Sequence, residues 1–163
     1  MAPEFMLLRN NSINLAAGLR NRGHRVLLID LDSQANSTYG TGLVKFQFEE
    51  EDDLRDKNVR DVLESGDFDF IPDVARQSSH FNTPEIDVVP SHISLIEAQY
   101  KLNQVRASQT RLIKKLKREE NDYDFVIIDT PPSRDIYAQV AIIAANYSFG
   151  HEAVCQSEFI QRM

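Results

Sequence analysis

Residues 25–32, RVLLIDLD, decide the fold, together with a second stretch of the same design at 123–133, YDFVIIDTPPS. In each, a short run rich in Leu, Ile and Val stays apolar until it ends in aspartate. Such a run has no outward-facing polar side. It suits a strand buried on both faces, as in a parallel sheet covered by helices. Parallel neighbours cannot be joined by hairpins and need crossovers, usually helical. Helical patterns alternate with these runs along the chain, so the sequence reads as an α/β fold with a mainly parallel sheet.

Working outward, Ser12–Arg22 (SINLAAGLRNR) places Ile13, Ala16, Ala17 and, more weakly, Arg20 on one helix face. Ser12 is its candidate cap and Gly23 its left-handed stop. Residues 33–42 are small and polar, a loop or the start of a short helix. VRDVLESG (59–66) reads as a short amphipathic helix closed by Gly66, and IDVVPS (86–91) as a short strand ended by Pro90. From His92 to Glu120 the pattern is one long helix, with Leu95, Leu102, Val105, Leu112 and Leu116 at spacings of 7, 3, 7 and 4. SRDIYAQVAIIAAN, after the second apolar run, reads as a helix capped by Ser133.

Two charged stretches stand apart. Glu49–Lys57 holds six acids and two bases and reads as a solvated surface insertion. RASQTRLIKKLKR (106–118) holds six bases and no acid. It reads as a solvated basic face with favourable charges near a helix C-terminus, with a nucleic-acid or acidic-partner surface as the alternative. No aromatic residue interleaves with these bases, which weighs against single-strand binding.

Composition bounds the rest. The chain has 163 residues, 42% apolar and 26% charged, with 25 acids against 18 bases and a net charge of -7. A domain of this size buries about 70% of its unfolded surface, so a core needs no covalent staples. The acidic balance argues against a protein that coats DNA. The single cysteine, Cys155, excludes an internal disulfide framework and fits a reducing, cytoplasmic setting. VLLI, FVII and VAIIAA are far shorter than a membrane span, and no leader pattern is visible. MAPEF, ahead of a second methionine at Met6, reads as vector-derived sequence covering residues 1–5.

Three acids carry the chemistry: Asp30, Asp32 and Asp129. In open parallel sheets ligands bind beyond the carboxyl ends of the strands, and both apolar runs deliver an aspartate there. Asp30 and Asp32 point the same way if the extended conformation persists. Clustered carboxylates repel unless a proton or cation joins them. Mg²⁺, held by one or two carboxylates and phosphate oxygens, is the natural guest. The alternative is that each acid merely caps the next helix.

In this order and spacing, IDLDSQAN, VVPS and FVIIDTPPS resemble the ParA/MinD-type partition ATPases, which carry a deviant Walker motif. SINLAAGL resembles the helix after their phosphate loop, and YDFVIIDTPPS their Walker B strand. The resemblance covers roughly residues 12–145, with Ser33 where Pro is usual. It implies a P-loop-NTPase-like, mainly parallel sheet flanked by helices, incomplete here, with 6–145 as a partial ATPase domain and 146–163 as an atypical tail. By matching motif, Asp32 would orient or activate the attacking water. Asp30 would support the magnesium shell and phosphate loop, and Asp129 would hold Mg²⁺ through water. Asn36 lies in a segment like the family's switch loop and is a cofactor-binding candidate. The family's task is ATP-dependent dimerisation and hydrolysis, stimulated by a ParB-like partner, to position plasmids, chromosomes or other cargo.

The sequence also departs from the family. A Lys-Gly-Gly-x-Gly-Lys-Thr loop should precede the first helix, yet none of the six glycines is followed by lysine. Gly18 and Gly23 have phosphate-loop spacing, but His24 and Arg25 follow them and a strand comes next, where a helix is required. The chain runs MLLRNN into SINLAAGL, so the first strand and the phosphate loop are both expected to be missing, with Phe5–Leu8 as a weak substitute strand. These departures, with the unusual tail, suggest a truncated or frame-disrupted reading frame or a decayed gene. The expectation is that ATP and Mg²⁺ belong to the family and are not held by this chain. DNA binding is not expected without the family's C-terminal part. Two other readings compete. One is a nucleotide-free module that pairs with itself or a full-length ParA-like protein. The other is a phosphoacceptor receiver domain using Asp129, disfavoured because its acids lie 97 to 99 residues apart and no lysine follows Lys117. His151 and Cys155 are four apart, with no further metal ligand nearby.

Overall fold

In the computed structural model, residues 4–8, 11–45, 49–105, 107–132 and 134–148 are described, the side chains of 4–8, 49, 147 and 148 excepted. In chain order the elements are β1 (Glu4–Leu8), α1 (Ser12–Asn21), β2 (Val26–Asp30), α2 (Asn36–Gly40), α3 (Val59–Glu64), α4 (Ile71–Val74), β3 (Arg76–Gln77), β4 (Asp87–Val89), α5 (Leu95–Gln104), α6 (Ser108–Leu116), β5 (Phe125–Asp129), α7 (Ile136–Ala144) and β6 (Tyr147–Ser148). The strands form one six-stranded sheet in the order β3-β4-β2-β5-β1-β6. Every neighbouring pair is parallel except β3 and β4.

The two apolar runs, β2 and β5, lie side by side near the centre, and all five residues of β2 are buried. Leu27 and Ile29 join the larger core with Val126 and Ile128, beneath residues of α3, α5, α6 and α7. Val26 and Leu28 join the other core with Ile127 and Ala16 of α1. The strand's period of two thus feeds two cores, so neither side could be polar.

The first-strand expectation is corrected. Glu4–Leu8 form β1, which runs parallel to β5 on one side and to β6 on the other. The segment is short but continuous with a sheet that offers an unpaired β5 edge, and backbone pairing there asks little of side-chain identity. Residues 4 and 5 are therefore the first two of this strand. His151 and Cys155 lie outside the described residues.

The single long helix is two. Val105 is extended (φ −108°, ψ 101°), and α6 begins three residues later. Ser108 sits at the break: its hydroxyl, with one hydrogen to give, lies 2.7 Å from the carbonyls of both Leu102 and Val105 and competes for acceptors at the end of α5. The apolar spacing still predicts packing, since Leu95, Leu102, Leu112 and Leu116 are buried. It does not predict continuity. Cap assignments shift as well. Asn11 precedes α1 and Ser12 is its first, buried residue. Asp135 caps α7, accepting from the amides of Tyr137 and Ala138; the side chain of Ser133 lies outside the described residues.

Both charged stretches are largely exposed, as expected, and each is anchored by buried residues. Within the acidic one, Leu54 is 2% exposed, Asp52 meets His92 Nε2 at 2.9 Å, and Asp53 pairs with Arg76. Asn58 is buried, donates to the carbonyls of Leu54 and Arg55, and forms a capping box with Asp61 at the start of α3. The charge count missed the one apolar residue that anchors the segment. On the basic helix, Arg111 donates to the carbonyls of Leu63 and Glu64, Lys115 is buried, and the Arg118 guanidinium lies 4.4 Å from the Phe70 ring centre. Arg111 and Lys115 satisfy carbonyls at the C-terminus of α3, which no residue of that helix can reach. Lys114, Lys117 and Arg118 are exposed.

Replacing Leu54 by Ala should lower stability by about 2–4 kcal/mol in chemical denaturation, whereas Asp53→Asn, at an exposed ion pair, should cost less than about 1 kcal/mol. Equal effects would mean that charge, not the buried leucine, holds the segment.

Candidate functional site

The site grows from the register of β2 and β5, which sets Asp30 opposite Asp129 at the carboxyl edge of the sheet. Asp30 has no exposed surface. Its Oδ2 accepts from both the amide and the hydroxyl of Thr38 at 2.8 Å, and its Oδ1 from the amide of Asp32 at 3.1 Å. Asp129 is 8% exposed and accepts from the Ser37 hydroxyl at 2.5 Å. The Ser12 hydroxyl lies 3.1 Å from that of Ser37 and also bonds Asp129. Two consecutive residues of α2 thus dock on the two aspartates. Ala35, in the left-handed region at φ 55°, makes the turn that brings α2 back over the strand ends.

Asp32 stands apart. The strand ends at Asp30, although the amide of Leu31 still donates to the Asp129 carbonyl at 2.8 Å. Asp32 is half-buried, and its Oδ1 accepts from the amide of Gln34 at 2.9 Å. Its carbonyl accepts from the Ser91 hydroxyl at 2.6 Å, and the Ser91 amide donates to Thr38 Oγ1 at 2.8 Å. Ser91, just past β4, therefore ties its own loop to the segment that follows β2. Beside this knot lies an open cavity of about 860 Å³, lined by Ser33, Gln34, Ala35, Ser91, His92 and Ser94 among others.

Burial dominates the electrostatics. It pushes the Asp30 carboxyl up to about 7, against the Thr38 hydrogen bonds and with help from the Asp129 charge. Asp129 is raised by burial too, with Ser37 and Ser12 opposing and Asp32 adding to the rise. The two facing carboxylates are thus held by hydroxyls and, at neutral pH, by a share of a proton.

The three acids meet at one edge, where the two apolar strands deliver them, but they are not equivalent. Asp30 faces inward to α2, Asp129 faces the serines, and Asp32 turns away to cap Gln34. Asp30 and Asp32 do not act as a parallel pair, because the extended conformation stops between them. Asn36, the first residue of α2, is exposed. Sequence reading missed Ser12, Ser37, Thr38 and Ser91. A signal was available: buried carboxylates need donors, and small hydroxyl residues follow the strand ends at Ser37-Thr38 and Ser91. No group of three or more His, Cys, Asp or Glu among the described residues is placed to hold a metal. No helix among them is long and apolar enough to cross a membrane.

A mainly parallel sheet with helices on both faces, and aspartates at its carboxyl edge, defines the P-loop-NTPase-like class. Residues 9–149 match the AAA domain family designated AAA_31. The sporulation initiation inhibitor protein Soj of Bacillus subtilis is 35% identical over 135 residues, covering 83% of this chain and 49% of Soj. The chromosome partitioning protein ParA of Caulobacter vibrioides is 33% identical over 140 residues, covering 85% and 48%. A plasmid partition protein of Borrelia burgdorferi bound to AMPPNP superposes with a TM-score of 0.71 at 21% identity, covering 91% of this chain and 62% of that one. Cobyrinic acid a,c-diamide synthase of Mycobacterium smegmatis, with bound ATP analog and magnesium, gives 0.69 at 22%, covering 91% and 59%. The chain belongs to the ParA/MinD-type partition ATPase family. It spans about half the length of the curated relatives it matches.

An Asp30 carboxyl near 7 in the folded state and 3.8 unfolded gives the fold one extra proton between those values. Its stabilising contribution is complete below pH 4 and is lost as pH rises through 7, with a slope of at most about 1.4 kcal/mol per unit. Denaturation series at pH 5, 6, 7 and 8 should show stability falling, and Asp30→Asn should flatten the curve. An unchanged slope in that variant would assign the proton elsewhere.

Proposed function

We propose that this chain carries the acid half of a ParA-type ATPase site and, with the connector it has, does not bind Mg-ATP tightly. The observation that carries this reading is the join between β1 and α1. A phosphate loop must leave a strand and open a helix. Here that position is spanned by Arg9, Asn10 and Asn11, without glycine or lysine. The loop's backbone donors and lysine contribute charge-assisted bonds of roughly 1.5–3 kcal/mol each. Losing about three removes on the order of 5–9 kcal/mol, or about four to six decades of affinity.

The acids do not compensate. Both oxygens of Asp30 are engaged by three protein donors, which fits a residue that positions α2 better than one in a magnesium shell. Asp129 and Asp32 are the carboxylates left for a cation, with Ser12 and Ser37 as neutral neighbours. Mg²⁺ binds such a sparse set only when phosphate oxygens complete its shell, and without a phosphate loop the acids repel the triphosphate. The residues present therefore do not fit Mg-ATP as a tight ligand. In this reading Asp32 keeps the place of the water-orienting acid, and Asn36 borders the site without holding a ligand. Copies of itself, a ParA-like protein and a ParB-like stimulator are the partners implied, and positioning of DNA or other cargo is the parent role.

Titration with a fluorescent ATP analogue and Mg²⁺ should show no saturation in the micromolar range. Inserting Lys-Gly-Gly-x-Gly-Lys-Thr in place of residues 9–11 should create saturable binding that Asp129→Asn weakens. Micromolar, Mg²⁺-dependent binding by the unaltered chain would overturn the proposal.

A further inference from the structure

Lys115 is the one basic residue in the buried set among the described residues, at 3% exposure. Its ammonium is not paired with a carboxylate. It lies 2.8 Å from the carbonyl of Val62, 2.7 Å from that of Phe68, 3.1 Å from that of Asp69 and 3.2 Å from that of Ser65, with the Ser65 hydroxyl at 2.8 Å. An ammonium has three hydrogens, so five oxygens cannot each receive a directed bond. The shell surrounds a charge and does not match a donor set. Carbonyls that replace a hydration shell in this way are how proteins hold K⁺. The Phe70 ring adds its face, 5.9 Å from Nζ.

The backbone is arranged for this. Val62 lies in the last turn of α3, where carbonyls lack helix partners. Asp69 holds φ 49°, a left-handed conformation unfavourable for a residue with a side chain. The turn from 65 to 69 thereby aims its carbonyls at one point. Such convergence of oxygen dipoles is repulsive unless something positive sits among them. Of the charges around the site, Asp67 and Asp69 favour the ammonium, while Arg111, Arg118 and burial oppose it.

We propose that residues 62–69 form a carbonyl-lined site for a monovalent cation of ammonium or potassium size, which the chain fills with its own Lys115. The lysine arrives from α6 as a tethered cation and closes the connection between α3 and α4. With the side chain removed, the cage takes the free ion.

The test is the stability of Lys115→Ala in ammonium, potassium and choline chlorides at equal ionic strength, with the unaltered chain and Lys115→Met beside it. The unaltered chain should be indifferent to the cation. The alanine variant should be less stable in choline, and its thermal midpoint should rise with the logarithm of ammonium or potassium concentration, as for a ligand bound only by the folded state. The methionine variant, whose side chain fills the space without charge, should not respond. If the alanine variant is unfolded in choline, refolding on addition of ammonium supports the proposal. Equal stability of the alanine variant in all three salts, its failure to fold in every one of them, or an equal response by the methionine variant overturns it.

Discussion

Two carboxylates facing each other across neighbouring buried strands are the constraint on which the rest of this edge depends. The register that packs Leu27, Ile29, Val126 and Ile128 into one core also sets Asp30 opposite Asp129. Neither acid can be shifted without flipping its strand's side chains to the wrong face. Their repulsion must therefore be met in place. Thr38 and Ser37 meet it from α2, Ser12 from α1, and Ser91 steadies Thr38 from beyond β4. The turn through Ala35 and the return of α2 over the strand ends follow from that demand. A proton shared near neutral pH takes up what the hydroxyls leave.

The central strands and the meeting of the acids were legible because both follow from one pattern, an unbroken apolar run ended by aspartate. The division of labour among the acids was not. It depends on where the strand stops, and Leu31, apolar and buried, gives no sign that the backbone leaves the sheet beside it. The α5–α6 break was hidden for a related reason. The leucine spacing runs through it undisturbed, and Ser108 acts through a hydroxyl bond that periodicity cannot register. β1 was undervalued because a short strand inside a sheet is stabilised by its neighbours' unpaired edges, which no local sequence displays.

The two charged stretches are solvated faces, and each is held down by buried residues within it. A charge count treats each residue alike, yet one Leu54 in the acidic run and one Lys115 in the basic run decide how their segments fold. Leu54 gains from leaving water and carries its acidic neighbours to within reach of His92 and Arg76. Lys115 and Arg111 gain from carbonyls at the end of α3 that are otherwise without partners. The acidic segment enters α3 and the basic helix closes it. That short helix, only six residues long, is thus fixed at both ends by contacts from outside itself, as a helix below the length of independent stability must be.

Packing and nucleotide chemistry place different demands on this fold. β1 pairs with β5 in the parallel sheet, and α1 packs on β2 and β5 through Ala16. Packing asks only that the strand and helix be joined. Holding a triphosphate asks for backbone amides and a lysine at defined points, and residues 9–11 include neither glycine nor lysine. The sheet accommodates Asp30 and Asp129 with hydroxyl and amide donors of its own. Packed strands set the fold and particular donors set a nucleotide site, so membership of the family and possession of its activity have to be decided by different residues.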